Sequence, residues 1–230
     1  DYTAGFPMHP HRGIETISYV SRGKMVHRDS LGNEAGISDG EVQWMNSGSG
    51  IMHEEMVPAA ERLLGVQLWL NLPAKDKMSK PSYNSIKNED IKEIEIEGGK
   101  IRLLAGKYGE HEGYKGDYLS MDYYDIHLNA DAEVTLTMEE DDSVMVFTLL
   151  GDVYIDGEHI EEKTAVKLTE GDSLTIKNGN EKAQVLYMNS RALNEPVAWA
   201  GPIVMNTQEE LQKAFLELRS NTFIKETAEY

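Results

Sequence analysis

The sequence predicts an all-β protein of the sandwich or barrel type. Short apolar runs with strand-like alternation recur along the chain. Asp-Gly, Asn-Gly and Gly-Asp pairs separate many of them, and only one segment near the C-terminus carries a helical period.

Strands are expected at residues 41–45, 65–70, 101–105, 118–128, 133–138, 144–149, 153–155, 164–168, 173–176 and 183–188. The Asp156-Gly157 pair tolerates positive φ at both central positions of a two-residue turn, so residues 151–160 read as a hairpin. Residues 73–99 are polar and charged and are punctuated by Pro81 and Gly98-Gly99. They read as a linker with one short helix near 82–88. At the C-terminus, Thr207 and Glu210 form a capping box, and Leu211, Ala214, Phe215 and Leu218 follow at helical spacing. The domain expectation is therefore 1–97 for a first β block with its linker. Residues 98–230 form a second block that ends in the helix.

Composition removes several classes of function. The chain has 230 residues, enough to bury a sizeable core. Lys and Arg number 22 against 40 Asp and Glu, a formal net charge of −18. Such a chain repels phosphate backbones, so we expect no direct nucleic-acid partner and no anionic membrane surface. There is no cysteine, which excludes disulfides, thiolate nucleophiles and sulfur-ligated metals. That fits a reducing compartment, and a cytoplasmic location is expected. No apolar run approaches the ~18–20 residues that span a bilayer. No secretory signal is visible, although the chain opens at Asp1 without an initiator Met, which leaves a removed leader open.

Two histidine motifs stand out among the seven histidines. One is His9-Pro10-His11, followed by Glu15; the other is His53-Glu54-Glu55, after Gly48-Ser49-Gly50. In a strand, residues i and i+2 share a face. His9 with His11, and His53 with Glu55, can each converge on one point. Three imidazoles and one carboxylate without sulfur suit Fe(II), Mn, Ni, Cu(II) or Zn. Glu15 shares strand parity with His9 and His11, so spacing leaves open whether Glu15 or Glu55 supplies the carboxylate. His27 reads as a surface or ladder histidine and His127 as a satisfied core histidine. His111 lies in a polar loop, and His159 follows the Asp156-Gly157 turn.

The strings Gly5-Phe6-Pro7-Met8-His9-Pro10-His11-Arg12-Gly13-Ile14-Glu15-Thr16 and Gln43-Trp44-Met45, then Gly48-Ser49-Gly50-Ile51-Met52-His53-Glu54-Glu55, resemble the pirin family of the cupin superfamily. Gln67-Leu68-Trp69-Leu70-Asn71-Leu72-Pro73, Gly151-Asp152-Val153-Tyr154-Ile155 and Gly201-Pro202-Ile203-Val204-Met205-Asn206-Thr207 continue the resemblance across nearly the whole chain. It implies a bicupin, two antiparallel jelly-roll barrels with a short C-terminal helix. It implies one metal, usually iron, held in the first barrel by His9, His11, His53 and Glu55. Glu15 then becomes a pocket or supporting residue, and the second barrel lacks metal. The chain starts closer to His9 than pirins do, so the opening strands of the first barrel are expected upstream of Asp1.

The resemblance also implies two roles. One is a metal-dependent dioxygenase that opens flavonols such as quercetin with O2, with Glu55 as general base. Phe6, Met8, Met25, Trp44, Met45 and Met52 are then candidate walls for a flat aromatic substrate. The other is an iron-binding, redox-responsive regulator acting through a protein partner.

Overall fold

A computed structural model of the chain describes residues 5–226. It divides into two compact units. One takes the residues up to Asn88 together with those from Asn194 onward, and the other is Glu89–Leu193.

The first unit holds β1 (Phe6–His11), β2 (Ile14–Arg22), β3 (Lys24–Asp29), β4 (Glu34–Ser38), β5 (Glu41–Asn46), β6 (Ile51–Met56), β7 (Leu64–Asn71) and β8 (Ser82–Ile86). They form two four-stranded sheets, in the orders β1-β6-β3-β4 and β7-β2-β5-β8. Every pairing is antiparallel. Val20, Met25 and Ile37, one residue each from β2, β3 and β4, pack together between the sheets.

The second unit holds β9 (Lys92–Ile96), β10 (Gly99–Ala105), β11 (Lys107–Tyr108), β12 (His111–Glu112), β13 (Met121–Leu128), β14 (Glu133–Thr137), β15 (Asp142–Leu150), β16 (Val153–Ile155), β17 (Glu158–Ile160), β18 (Ala165–Lys167), β19 (Ser173–Asn178) and β20 (Ala183–Arg191). A six-stranded sheet, β18-β15-β20-β13-β10-β9, faces a four-stranded one, β14-β19-β16-β17, and β11-β12 is a separate ribbon. Ile101, Ile126, Val146, Val153, Leu174 and Ile176 meet between the two larger sheets and fill the interior with apolar side chains. The β16–β17 hairpin turns through Asp156 (φ 48°) and Gly157 (φ 88°), the positive pair that the sequence demands.

The chain is thus all-β with one short C-terminal helix. Among the described residues no sheet closes on itself, so each barrel is an open pair of sheets. Among the described residues no helix is long and apolar enough to cross a membrane.

Two expectations need correction. The first concerns residues 82–88, of which 82–86 are strand and none is helix. Val42 pairs with Ile86 and Asn46 with Ser82, and Ile86 is buried. A free edge on β5 outweighs weak local preference.

The second correction concerns the C-terminal segment, which belongs with the first unit and not with the second block. It contains β21 (Ala198–Ala200), β22 (Ile203–Met205) and α1 (Gln208–Arg219). The Thr207 side chain accepts from the Glu210 backbone N–H, and the Glu210 carboxylate in turn accepts from the Asn206 and Thr207 N–H groups. Ala198, Ile203, Met205, Leu211, Ala214 and Phe223 form its own small core.

Arg12 fastens this segment. Its guanidinium donates to the carbonyls of Ser49 (2.7 Å) and Phe223 (2.8 Å), pairs with Glu217 at 2.8 Å and lies 4.1 Å from the centre of the Phe223 ring. Gly13 makes the close approach feasible. Its φ is +78°, and a Cβ there would stand 2.0 Å from the Val204 carbonyl oxygen. Lys77 completes the junction with bonds from Nζ to the carbonyls of Gly13 and Val204.

Candidate metal centre

Register explains which side chains meet. On the β1-β6-β3 face, His9 stands opposite His53, and His53 opposite Asp29; Glu55 stands opposite His27. Alternation puts His11 beside His9, and Asp29 beside His27, on that same face. The other sheet presents two rows toward it. One runs Gln67–Ser18–Gln43–Ser85 and the next Trp69–Thr16–Met45–Tyr83.

His9, His11 and His53 form the cluster. Their ligand atoms all lie within 4.8 Å of one another. Nε2 of His9 is 3.1 Å from Nε2 of His11 and 2.9 Å from Nε2 of His53. His9 Nδ1 lies 2.8 Å from the Pro7 carbonyl and His11 Nδ1 3.1 Å from the Pro202 carbonyl. A carbonyl only accepts, so both rings carry hydrogen on Nδ1 and direct the Nε2 lone pair inward. Converging lone pairs with hydrogen-bonded outer nitrogens are the arrangement of a metal-binding imidazole set.

Burial adds to this. His11 and His53 are almost wholly inaccessible to solvent. Burial, then the neighbouring His9, lowers the pKa of His11 to about 4. Burial, then His11, His9 and His27, lowers that of His53 to about 2. Both rings therefore stay neutral, as ligation requires.

Glu55 sits on the same strand face as His53 but outside the tight imidazole cluster. Its Oε1 accepts from Ser18 Oγ (3.2 Å), Gln43 Nε2 (2.9 Å) and Gln67 Nε2 (3.0 Å); Oε2 also accepts from Gln67 (2.9 Å). The row Gln67–Ser18–Gln43 is thus a cradle for one carboxylate.

Glu15 is not part of the site. The chain turns at Gly13 and β2 enters the other sheet, so parity with His11 is lost. Glu15 projects from the face of β2 opposite Ser18 and accepts from Trp44 Nε1 at 2.9 Å. Trp44 shares that face and lines nothing at the cluster. Met52 alternates away from His53. Met45 lies in the row facing the site, Met25 packs with Val20 and Ile37, and Phe6 and Met8 are exposed.

His27 differs most from expectation. It is buried, not a surface residue. Its Nδ1 lies 3.3 Å from Nδ1 of His53, its Nε2 2.9 Å from Asp29 Oδ2, and Tyr83 stacks on its ring at 4.3 Å. Burial alone would raise the Asp29 carboxyl. Hydrogen bonds from His27 and Asn33 outweigh it and leave the group below the ordinary carboxylate value. Gln43, Gln67, Ser18 and Trp69 also went unrecognised as site residues, although Gln67 and Trp69 share one face of a strand by simple alternation. The Trp69 ring meets His11 edge-on at 5.3 Å.

The remaining histidines lie elsewhere. His127 Nε2 pairs with Asp125 at 2.8 Å, and exposed His159 with Asp152 at 3.1 Å; His111 is exposed on β12.

Comparison with known proteins agrees with this architecture. The Pirin family model matches residues 1–70 and the Pirin C-terminal cupin domain model residues 123–224. A Thermoplasma acidophilum protein named "Putative quercetin 2,3-dioxygenase" is 36% identical over 98% of this chain and 94% of its own length. Human Pirin is also 36% identical, over 94% of this chain and 77% of its own. The crystal structure of quercetin 2,3-dioxygenase from Acinetobacter baumannii superposes with a TM-score of 0.88 at 33% identity, covering 96% of this chain and 80% of that one. With both of its cupin units matched and relatives of this similarity spanning its length, the chain belongs to the pirin family of the cupin superfamily.

Proposed function

We propose that the protein is a metal-dependent dioxygenase that opens flavonols such as quercetin with O2. The observation that carries this reading is the convergence of three imidazole Nε2 atoms beside an exposed indole, Trp69. It is supported by 33% identity to the Acinetobacter quercetin 2,3-dioxygenase.

His9, His11 and His53 would hold the metal, with Glu55 as the fourth donor. We propose iron(II) as the resident ion, although the same nitrogen and oxygen set also suits Mn, Ni, Cu or Zn. A bound transition metal supplies Lewis acidity toward a hydroxyl oxygen and redox chemistry toward O2.

The chain's own residues do the rest. Glu55 takes the proton of the flavonol 3-hydroxyl, and Ser18, Gln43 and Gln67 hold its carboxylate in place for that transfer. Trp69 offers a flat apolar face to the substrate rings. The buried Met45 and the stack of Tyr83 on His27 keep water from behind the histidines.

The test is turnover by iron-loaded protein under O2. Loss of quercetin absorbance should match O2 uptake and carbon monoxide release. Glu55→Gln should lower the rate by ~10²–10⁴. Full iron occupancy with quercetin left intact would replace this reading with that of an iron-binding regulatory protein.

A further inference from the structure

We propose that His27 and Asp29 are positioning residues for the metal centre. They form a relay that fixes His53 as the tautomer with its hydrogen on Nδ1 and its Nε2 lone pair directed at the metal position. The inference rests on the metal-binding reading above. It concerns which nitrogen of a neutral ring carries the hydrogen.

The relay begins at Asp29. Its Oδ1 accepts from the backbone N–H groups of Leu31 (2.9 Å) and Asn33 (3.1 Å). Its Oδ2 accepts from Asn33 Nδ2 at 2.9 Å and faces His27 Nε2 at 2.9 Å. A carboxylate is an acceptor only, so the hydrogen on this contact belongs to His27 Nε2. In the proposed relay the His27 ring carries that one hydrogen, which leaves its Nδ1 as a lone pair. That lone pair lies 3.3 Å from His53 Nδ1. The contact is a hydrogen bond only when His53 Nδ1 carries the hydrogen. His53 Nε2 is then bare and stands 2.9 Å from Nε2 of His9.

Packing holds the relay rigid. The side chains of His27 and Asp29 are both 0% exposed. Tyr83 stacks on the His27 ring with an interplanar angle of 17°, and the Tyr83 hydroxyl is tied to Ser85 Oγ at 2.9 Å. Strand register places Asp29 directly across from His53, and His27 across from Glu55.

His53 differs here from its two partners. His9 and His11 each give their Nδ1 hydrogen to a backbone carbonyl, Pro7 and Pro202. A carbonyl acts alike whatever side chain its residue carries. The tautomer of His53 depends on two side chains, so substitution can reverse it.

Asp29→Asn is the reversing variant. The N–H groups of Leu31 and Asn33 still require an oxygen at the Oδ1 position. The amide oxygen takes that place and the amide NH2 turns toward His27 Nε2. His27 must then carry its hydrogen on Nδ1, where it confronts the Nδ1 hydrogen of His53. His53 escapes by moving its hydrogen to Nε2, which removes a metal donor. His27→Phe keeps a ring against Tyr83 but deletes the acceptor altogether.

Two measurements test this. Long-range 1H–15N correlation spectra of the metal-free chain, labelled at histidine, read each tautomer directly. Anaerobic competition with a chromogenic chelator reads the Fe(II) dissociation constant. The expected result is His27 with hydrogen on Nε2 and His53 with hydrogen on Nδ1 in the parent chain, both reversed in Asp29→Asn. Fe(II) affinity should fall ~10–100-fold in Asp29→Asn and in His27→Phe, the usual cost of losing a partner behind a metal-bound histidine.

A parent chain with the His53 hydrogen on Nε2 would overturn the proposal. So would unchanged tautomers in Asp29→Asn, or affinity within threefold of the parent in a folded His27→Phe. Should the parent chain bind no iron while showing the stated tautomers, the metal reading fails and the relay itself stands.

Discussion

Nε2 of His9 stands 2.9 Å from Nε2 of His53, and the opposite ring nitrogen, Nδ1, is directed at the Pro7 carbonyl at 2.8 Å. Lone pairs held this close gain from a cation between them. His11→Ala or His53→Ala should therefore cut metal content in the purified protein sharply, because each removes a donor from an incomplete shell. His127→Ala and His159→Ala should leave it unchanged, since those rings pair with Asp125 and Asp152. Elemental analysis of the four variants decides this. Full occupancy in both ligand variants would overturn the site.

Acid should destabilise the metal-free chain in a defined window. Free histidine has a pKa of about 6.5. In the folded chain, burial and then neighbouring imidazoles lower His11 to about 4 and His53 to about 2. As pH falls below 6.5, the unfolded chain binds protons that the folded chain rejects. The contribution of these two rings to stability is therefore level above about pH 7. It then declines by up to ~1.4 kcal/mol per pH unit for each ring, until His11 titrates near 4 and His53 near 2. Urea unfolding between pH 7.5 and 5 checks this, and the slope should shrink in a His11→Phe, His53→Phe double variant. A pH-independent midpoint in the parent chain would contradict it.

Arg12 joins the metal centre to the C-terminal segment. It is buried and serves two carbonyls, the Glu217 carboxylate and the Phe223 ring at once. Its neighbour His11 is bonded to Pro202 in that same segment. Arg12→Met should cost about 1–3 kcal/mol, the range for leaving buried acceptors without their donor, because Glu217 keeps Lys225 at 3.0 Å. It should also open residues beyond 194 to proteolysis and weaken metal binding through His11. A loss below about 1 kcal/mol in urea unfolding would show that the segment is held by its own core instead.

The sequence makes the β class, the Asp156-Gly157 hairpin, the capping box at Thr207 and the histidine triad legible, because each depends on neighbours within a few residues. β2 was invisible. Both of its faces are buried and carry Glu15, Thr16 and Ser18, so no alternation survives. His27 does sit in a strand ladder, but its burial is hidden for a related reason. Its ring is apolar on one side, where Tyr83 stacks, and polar at both nitrogens, and only the pairing of β3 with β6 brings His53 to it. Spacing alone leaves Glu15 and Glu55 equivalent. The turn at Gly13 resets the alternation, which no count of residues from His11 reveals. The place of the C-terminal segment is not legible locally, because its anchors are His11, 191 residues from Pro202, and Arg12, 211 residues from Phe223.

Trp69 tests the substrate side of the proposed reaction separately from the metal side. Its ring lies edge-on to His11 at 5.3 Å and remains 41% exposed. The indole Nε1 donates to Gln67 Oε1 at 3.2 Å, and Gln67 in turn donates to Glu55. The indole plane is thus set by the residue that orients the proposed base, yet no Trp69 atom belongs to the imidazole cluster. A flavonol stacked there would gain about 0.5–1.5 kcal/mol beyond simple apolar burial. Trp69→Leu should accordingly raise KM for quercetin by roughly 10-fold. Iron affinity should stay within about threefold of the parent, because the three imidazole donors and the carbonyl and histidine partners of their outer nitrogens are untouched. Tyr154→Leu, an equally exposed aromatic on β16, should leave KM unchanged. Steady-state kinetics on iron-loaded protein with a parallel iron titration separates the outcomes. A Trp69→Leu variant with unaltered KM would move the substrate off this face, and one that lost iron would make the indole a support of His11 and not a substrate wall.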